Sequence, residues 1–353
     1  MQYLITGHTG FKGSWLTLWL TSQGHEVYGL SLNPEPVSLF ELANVAAVCT
    51  VDQRGDIRNP QTVKSAVFQA DPDVVIHLAA QPLVLDSYRR PRWTIETNLM
   101  GTLNVLEAVG LKETVKALLV VTTDKVYRNL NQQSGYLEDD PLGGQDPYSA
   151  SKAMADILTH SWAKSFPGTR TAVARAGNVI GGGDVSPDRL IPDIMLNLRA
   201  GTTPVLRHPE AVRPWQHVLD CLNGYRTLVD KLVDEACDLN FDGGWNFGPE
   251  TDSFVPVGEI ATAAMTNWGA NGTWIADPND KLHEAQLLAL DSTRAKTELA
   301  WSNLLGVEDA LIWTLNWFRN IDSGASARDA TIQQIGEFQR LTAQGGNSNQ
   351  KDL

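Results

Sequence analysis

The chain has no apolar run of membrane-spanning length, and it is poor in the residues that build metal sites and disulfide frames. A spanning helix needs about 20 consecutive, mostly apolar residues. A secretory leader needs a basic start and a longer apolar stretch than the strand-like QYLIT near the N-terminus. A soluble protein of the cytoplasm, with no membrane partner, is therefore expected. Its three cysteines, Cys49, Cys221 and Cys237, share no CxxC-type spacing, which argues for reduced thiols in a cytosolic setting. The seven histidines are scattered, with no HxxxH or HExxH pair, so no metal site is expected. Positive charge is scarce as well. With 28 Lys and Arg against 41 Asp and Glu, the formal net charge is −13, which excludes broad electrostatic binding to nucleic acid or anionic lipid. A few local arginines could still hold an anionic small molecule.

What is present is a long chain of ordinary globular composition. At 353 residues it exceeds a usual single domain. Over the first 175 residues or so, short runs rich in Val, Ile or Leu alternate with amphipathic stretches. The runs 2–6, 26–30, 74–78, 117–122 and 171–175 read as strands; 12–22, 94–109 and 147–166 read as helices. Strand and helix in alternation predict an α/β fold, a Rossmann-like doubly wound parallel sheet covered on both faces. Beyond Asn178 the pattern loosens into shorter elements and proline-marked loops. We expect a dinucleotide-binding domain over 1–177, to which later segments return, and a smaller lobe mainly over 178–344. The polar stretch GGNSNQKDL, 345–353, reads as a disordered tail. No internal repeat or long linker is evident.

The first strand runs into Gly7-His8-Thr9-Gly10-Phe11-Lys12-Gly13 and then a helix. Glycines at such a turn let a pyrophosphate approach the helix N-terminus. The spacing is GxxGxxG, and its place between a first strand and a first helix is what gives it weight. Asp56-Ile57 follows a third strand, where an acidic side chain can accept from an adenine amino group. Leu78-Ala79-Ala80 closes the fourth strand with residues suited to packing against ribose and nicotinamide, and Asn98 offers a polar partner beneath the site. At the end of the second strand Asn33 can accept from a ribose 2′-hydroxyl. No arginine follows closely and Glu35 would oppose a 2′-phosphate, so NAD is expected in preference to NADP.

Tyr148-Ser149-Ala150-Ser151-Lys152 places a tyrosine and a lysine on one face of a helix. A tyrosine with pKa near ~10 is a poor base at neutral pH, and neighbouring positive charge would favour its phenolate. Thr123, at the end of the fifth strand, can hydrogen-bond the oxygen that Tyr148 deprotonates. Asp124 and Lys125 follow it directly. That titratable pair suggests work beyond simple oxidation, with an acid for a leaving hydroxyl and a base for a proton beside a ketone.

Together the fingerprint, HLAAQ, the threonine and YxxxK resemble the extended short-chain dehydrogenase/reductase family. GHTGFKGSW, SLFELANV, TTDK, RAGNVIGGGD, DRLIPD, RPWQHV and WNFGP resemble its CDP-glucose 4,6-dehydratase branch, over nearly the whole chain. Thr-Asp-Lys, where dTDP-glucose dehydratases carry Thr-Asp-Glu, is the most diagnostic. The resemblance implies an internally redox-neutral conversion of a nucleotide-activated glucose to its 4-keto-6-deoxy form. Thr123 and Tyr148 would handle O4, Lys152 would tune Tyr148, and Asp124 would be the acid. Lys125 would hold the base position, either as a neutral base or as a charge stabilising an enolate. Tyr148 and Lys152 would also contact the cofactor. The resemblance further implies substrate contacts from Asn178, Arg189, Arg213, Lys281 and His283, and a homodimer paired through segments 94–109 and 147–166. Two positions depart from the branch: Leu85 stands where an arginine is usual, and Asn33 where an acidic residue is. Three alternatives stay open: another nucleotide-sugar dehydratase, a 4-epimerase on the same scaffold, or a catalytically silent NAD-binding regulatory module. Asp124-Lys125 argues against the epimerase; the intact Thr123, Tyr148 and Lys152 argue against the regulator.

Overall fold

The computed structural model describes the chain except residues 131, 133, 271, 278–287 and 349–353. Lys281 and His283 lie outside the described residues. Seven parallel strands form the central sheet. They are β1 (Gln2–Thr6), β2 (Glu26–Ser31), β3 (Val51–Arg54), β4 (Val74–His77), β5 (Ala117–Val121), β6 (Arg170–Arg175) and β7 (Gly244–Asn246). Their order across the sheet is β7-β6-β5-β4-β1-β2-β3. The chain therefore winds outward from β1 in both directions, and a crevice opens where the order reverses, between β1 and β4, above their carboxyl ends.

Alternation along each strand explains why both faces are covered. Leu4, Leu30, Val75, Leu118 and Val173 point to one face, against Val63 and Val67 of helix Pro60–Ala70 and Val105 and Leu106 of helix Gly101–Gly110. Ile5, Val27, Ile76, Leu119 and Ala174 point to the other, against Trp15 and Leu16 of helix Phe11–Ser22 and Leu219 and Leu222 of helix Val218–Val233. A two-residue period in every strand sorts the side chains into two apolar layers, which is what a doubly wound sheet requires.

The later half of the chain does not separate cleanly from the first. β7 pairs with β6 at the sheet edge, and helix Val218–Val233 packs on β5 and β6. Helix Ala327–Ser348 returns to helix Phe11–Ser22, with Phe338 edge-on to Trp19 at 5.8 Å between ring centres. The smaller lobe is built from helix Leu190–Ala200 against helix Val257–Trp268 and two short strand pairs, 205–206 with 275–276 and 212–214 with 254–256. The last helix carries its backbone through 345–348, where a polar disordered tail was expected; its two glycines sit in the final turn. Among the described residues, no helix is long and apolar enough to cross a membrane.

Candidate active site

The crevice above β1 and β4 opens into a cavity of about 540 Å³ reached by both lobes. Its floor is fixed by strand-end chemistry. Thr6 Oγ1 and His77 Nδ1 lie 2.6 Å apart across the two strand ends, and His77 Nε2 lies 3.1 Å from Thr102 Oγ1. Burial and, secondarily, the charge of Lys152 lower the His77 pKa to about 3, so this imidazole is neutral. The Ala79 amide in turn donates to Thr6 Oγ1 at 3.3 Å.

The glycine turn is shaped by contacts no side chain could share. Gly7 has φ +81°, and a Cβ there would lie 2.7 Å from the Ala79 nitrogen. A Cβ on Gly13 would lie 2.2 Å from the Gly7 carbonyl oxygen. The first turn of helix Phe11–Ser22 is thus drawn down onto β1 and faces the cavity with Gly10, Phe11, Lys12 and Gly13. This cradle suits a dinucleotide pyrophosphate. Gly7, Thr9, Asp56, Ile57, Leu78, Ala79 and Ala80 complete that end of the lining. Thr9 Oγ1 lies 2.6 Å from Ser31 Oγ and donates to the Leu32 carbonyl at 3.2 Å, tying the turn to the end of β2. Asp56 is engaged by Arg58, whose hydrogen bonds hold its carboxyl below the usual range.

Two expected cofactor residues are placed differently. Asn33 is exposed and does not line the cavity; Ser31 and Leu32 do, because β2 runs on to Ser31 before the chain turns away. Asn98 does not face the cavity either. It lies in a π-helical turn, Glu96–Met100, that aims its amide inward. Its nitrogen donates to the Gln81 carbonyl at 3.0 Å and to Ser151 Oγ at 2.9 Å, and its oxygen accepts from the Gln81 amide at 2.8 Å. With its side-chain groups so engaged, Asn98 locks the loop after β4 to the helix bearing Tyr148 and Lys152.

At the other end of the cavity stand Thr123, Asp124, Lys125, Tyr148 and Lys152. Thr123 caps a single tight turn, Asp124–Val126: its hydroxyl accepts from the Lys125 amide at 3.3 Å and donates to Asp124 Oδ1 at 2.8 Å. Asp124 is 2% exposed, and its other oxygen accepts from the Asn178 amide at 3.2 Å. Helix Pro147–Ser165 starts on Asp146, which accepts from the Ser149 amide, so Tyr148 and Lys152 lie in its first turns. Burial pushes the Tyr148 phenol up to about 12, against the opposing pull of Thr123 and Arg189. Burial and the nearby charge of Lys12 bring Lys152 down to about 8. The Lys152 ammonium donates to the Val121 carbonyl at 2.8 Å, which anchors it under the site.

Of the expected substrate residues, Asn178, Arg189 and Arg213 all line the cavity. Arg189 lies 3.5 Å from Asp184, Arg213 is 5% exposed, and Asn178 is turned toward Asp124. Trp215 and Asp193, inside RPWQHV and DRLIPD, also line it, as does Arg207, which lies in no motif that marks it in the sequence. The ion pair behind the tight turn is only half marked, since Arg175 opens RAGNVIGGGD while Asp156 lies in no such stretch. Arg175, the last residue of β6, donates to both oxygens of Asp156 at 2.9 and 2.7 Å. For Asp156 the hint is that it follows Lys152 by one helical turn.

Comparison with known proteins agrees with this geometry. Residues 3–240 match the model of the NAD dependent epimerase/dehydratase family. The chain is 38% identical over 350 residues to CDP-glucose 4,6-dehydratase of Salmonella typhimurium, covering 97% of each. It is 30% identical to dTDP-glucose 4,6-dehydratase of Streptomyces antibioticus, covering 91% of this chain and 93% of that protein. Among solved structures it superposes on dTDP-glucose 4,6-dehydratase of Streptomyces venezuelae with a TM-score of 0.77, at 24% identity, over 93% of this chain and 100% of the other. UDP-glucose 4-epimerase of Thermotoga maritima gives the same TM-score at 22% identity, over 91% and 99%. The fold is therefore shared by dehydratases and epimerases alike.

Proposed function

The chain belongs to the NAD dependent epimerase/dehydratase family, and from that premise we propose that it is a CDP-glucose 4,6-dehydratase, turning CDP-D-glucose into CDP-4-keto-6-deoxy-D-glucose. The observation that carries the reading is that Asp124 and Lys125 line the same cavity as Thr123, Tyr148 and Lys152. Epimerisation at C4 needs no acid–base pair at C5 and C6, whereas dehydration does.

NAD, held by the glycine turn with Asp56, Ile57 and Leu78 to Ala80, would supply a reversible hydride acceptor for C4, so no second redox substrate is needed. Tyr148 takes the O4 proton, with the Thr123 hydroxyl holding that oxygen. Burial raises the Tyr148 phenol, and the Thr123 hydrogen bond and the Arg189 charge oppose that rise; a charged Lys152 on the same helix face favours the phenolate further. Once C4 is a ketone the C5 proton is acidified. Lys125 then removes it or stabilises the enolate, and Asp124 protonates the departing O6. Arg213, Arg189 and Arg207, all on the cavity wall, supply cations for the diphosphate.

The identity of the Salmonella relative supports cytidine as the nucleotide. Exposed Met100 and Ile157, on the two helical segments flanking the site, support pairing of two chains. Three free cysteines suit the cytoplasm. Incubating the purified protein with CDP-, UDP-, dTDP- and GDP-glucose, and reading 4-keto product by ultraviolet absorbance in alkali, tests the substrate. CDP-glucose should be turned over best. Equal turnover of two nucleotides would move the assignment to a broader sugar dehydratase, with Leu85, which lines the cavity, the first suspect.

A further inference from the structure

Both flanks of Thr123-Asp124-Lys125 are tied to one buried ion pair. On the upstream side, Thr122 Oγ1 donates to Asp156 Oδ2 at 3.0 Å. On the downstream side, Arg175 donates to the Tyr127 hydroxyl at 2.7 Å, and its guanidinium lies 5.0 Å from the Tyr127 ring centre. Asp156 and Arg175 are 0% and 2% exposed, and they bond each other bidentately. Tyr127 passes the connection on, donating to Asn246 Oδ1 at 2.7 Å, and its ring stacks on Tyr136 at 5.1 Å. The network thus joins β5, β6, β7 and the helix bearing Tyr148 and Lys152. Two glycines leave it no slack: a Cβ on Gly244 would lie 2.3 Å from the Arg175 guanidinium carbon, and one on Gly177 would lie 2.1 Å from the Asp124 carboxyl carbon.

A buried ion pair is weak evidence of added stability, because desolvation offsets its Coulomb gain. What this pair does have is geometry. Tyr148 and Lys152 are held by the helix itself and by Asn98, whereas Asp124 and Lys125 sit on a turn too short to fix itself. We propose that Asp156, Arg175 and Tyr127 are positioning residues that set the Asp124–Lys125 turn against the Tyr148–Lys152 helix, and that they govern elimination more than oxidation. This rests on the dehydratase reading. In elimination the C5–H bond breaks, its proton passing to the base at the Lys125 position and its electron pair entering the C4=C5 enolate. As O4 returns to a ketone that pair forms the C5=C6 bond while the C6–O bond breaks, and the departing hydroxyl leaves as water with the proton from Asp124. A displaced turn misaims both proton transfers at once, while the O4 contacts of Tyr148 are kept.

Tyr127→Phe is the cleanest probe, since it removes the hydroxyl and keeps the stacked ring. With the bond from Arg175 to its hydroxyl gone, kcat should fall about tenfold or more. KM for the nucleotide sugar should stay within about twofold. Reduced nicotinamide should build up during a single turnover of the holoenzyme. Amide hydrogen exchange across 122–127 should quicken by a comparable factor, a readout that needs no substrate. Arg175→Lys should act in the same direction, and Asp156→Asn more strongly. If either fails to fold, Tyr127→Phe alone decides. Unchanged kcat and unchanged exchange at 122–127, even with a lowered melting temperature, would overturn the proposal and leave the network structural. An equal fall in oxidation and elimination would overturn its restriction to elimination. Should the parent protein form no 4-keto product from any nucleotide sugar, the dehydratase reading itself has failed; faster exchange at 122–127 in Tyr127→Phe would then still report the positioning.

Discussion

Asn178 holds its amide nitrogen 3.2 Å from Oδ2 of Asp124, and it does so from a left-handed backbone conformation, φ +49°. Asparagine tolerates that region better than most residues, so one residue supplies both the turn and the donor. Gly177 beside it must lack a Cβ for Asp124 to sit there at all. The carboxyl is therefore fixed from Thr123 on one oxygen and from Asn178 on the other.

Replacing Asn178 separates the two roles. Asn178→Gly keeps the backbone and deletes the donor; Asn178→Ala deletes the donor and adds about 1 kcal/mol or more of backbone strain. Both should lose roughly tenfold in kcat, because the Asp124 carboxyl loses one of the two side-chain hydrogen bonds that aim it. Only the alanine variant should also show a lowered melting temperature. Equal melting temperatures would mean the left-handed turn is not retained.

Lys125 should be separable from oxidation. Lys125→Ala keeps Thr123, Tyr148 and Lys152, so the first step should proceed and reduced nicotinamide should accumulate in a single turnover while product forms slowly. Exchange of the C5 hydrogen with deuterated water should fall. Tyr148→Phe should give neither reduced nicotinamide nor product, because loss of the O4 proton is coupled to oxidation at C4. A Lys125→Ala enzyme that shows no oxidation would assign the lysine to binding.

The glycine turn makes a graded prediction. A Cβ on Gly13 meets backbone, 2.2 Å from the Gly7 oxygen and 2.7 Å from the His8 Cα, and backbone cannot give way cheaply. A Cβ on Gly10 meets only the Gly7 oxygen at 3.3 Å. Gly13→Ala should therefore lose about 1–3 kcal/mol of folding stability. Gly10→Ala should fold nearly as the parent does but bind NAD more weakly, because Gly10 lines the cavity. Thermal unfolding with and without NAD distinguishes the two. The scheme fails if Gly13→Ala melts like the parent.

These cases also show which features a sequence can carry. The strands, the glycine turn and the Tyr148–Lys152 spacing depend on local period and local backbone freedom, so adjacent letters reveal them. The Asp156–Arg175–Tyr127 network depends on residues from separate elements meeting in space, and no local spacing records that. Asn98 was legible as a polar residue below the site, but its direction depends on a π-helical turn that the pattern read as plain helix. The place of Asn33 after β2 suggests a ribose contact; the strand runs on to Ser31, and Asn33 is exposed to solvent. The polar GGNSNQKDL reads as a disordered tail, yet the backbone of 345–348 completes the last turn of a helix whose earlier residues pack on helix Phe11–Ser22.

The last prediction concerns what Lys152 does to folding. Lys152 is 6% exposed, and burial together with Lys12 lowers its pKa from 10.5 to about 8. Below pH 8 the lysine is charged in both folded and unfolded chains, and the folded state carries the full penalty of burying it. Between pH 8 and 10.5 the folded chain releases the proton while the unfolded chain keeps it. The unfolded state then binds more protons, so stability from this group rises with pH through that window. A shift of this size corresponds to about 3 kcal/mol at neutral pH, less about 1 kcal/mol for the hydrogen bond to Val121 that any replacement would forfeit. Lys152→Met should therefore be more stable than the parent near pH 7, by up to about 2 kcal/mol on the same reckoning, while losing activity. The two proteins should converge as pH rises from 8 toward 10. Urea unfolding of both at pH 7, 8, 9 and 10 measures the difference directly. Comparing the pair cancels the other groups that titrate there, among them buried Tyr3, raised to about 12. A difference that does not change between pH 7 and 10 would mean that Lys152 keeps its ordinary pKa, and that the positive field on Tyr148 costs the fold nothing.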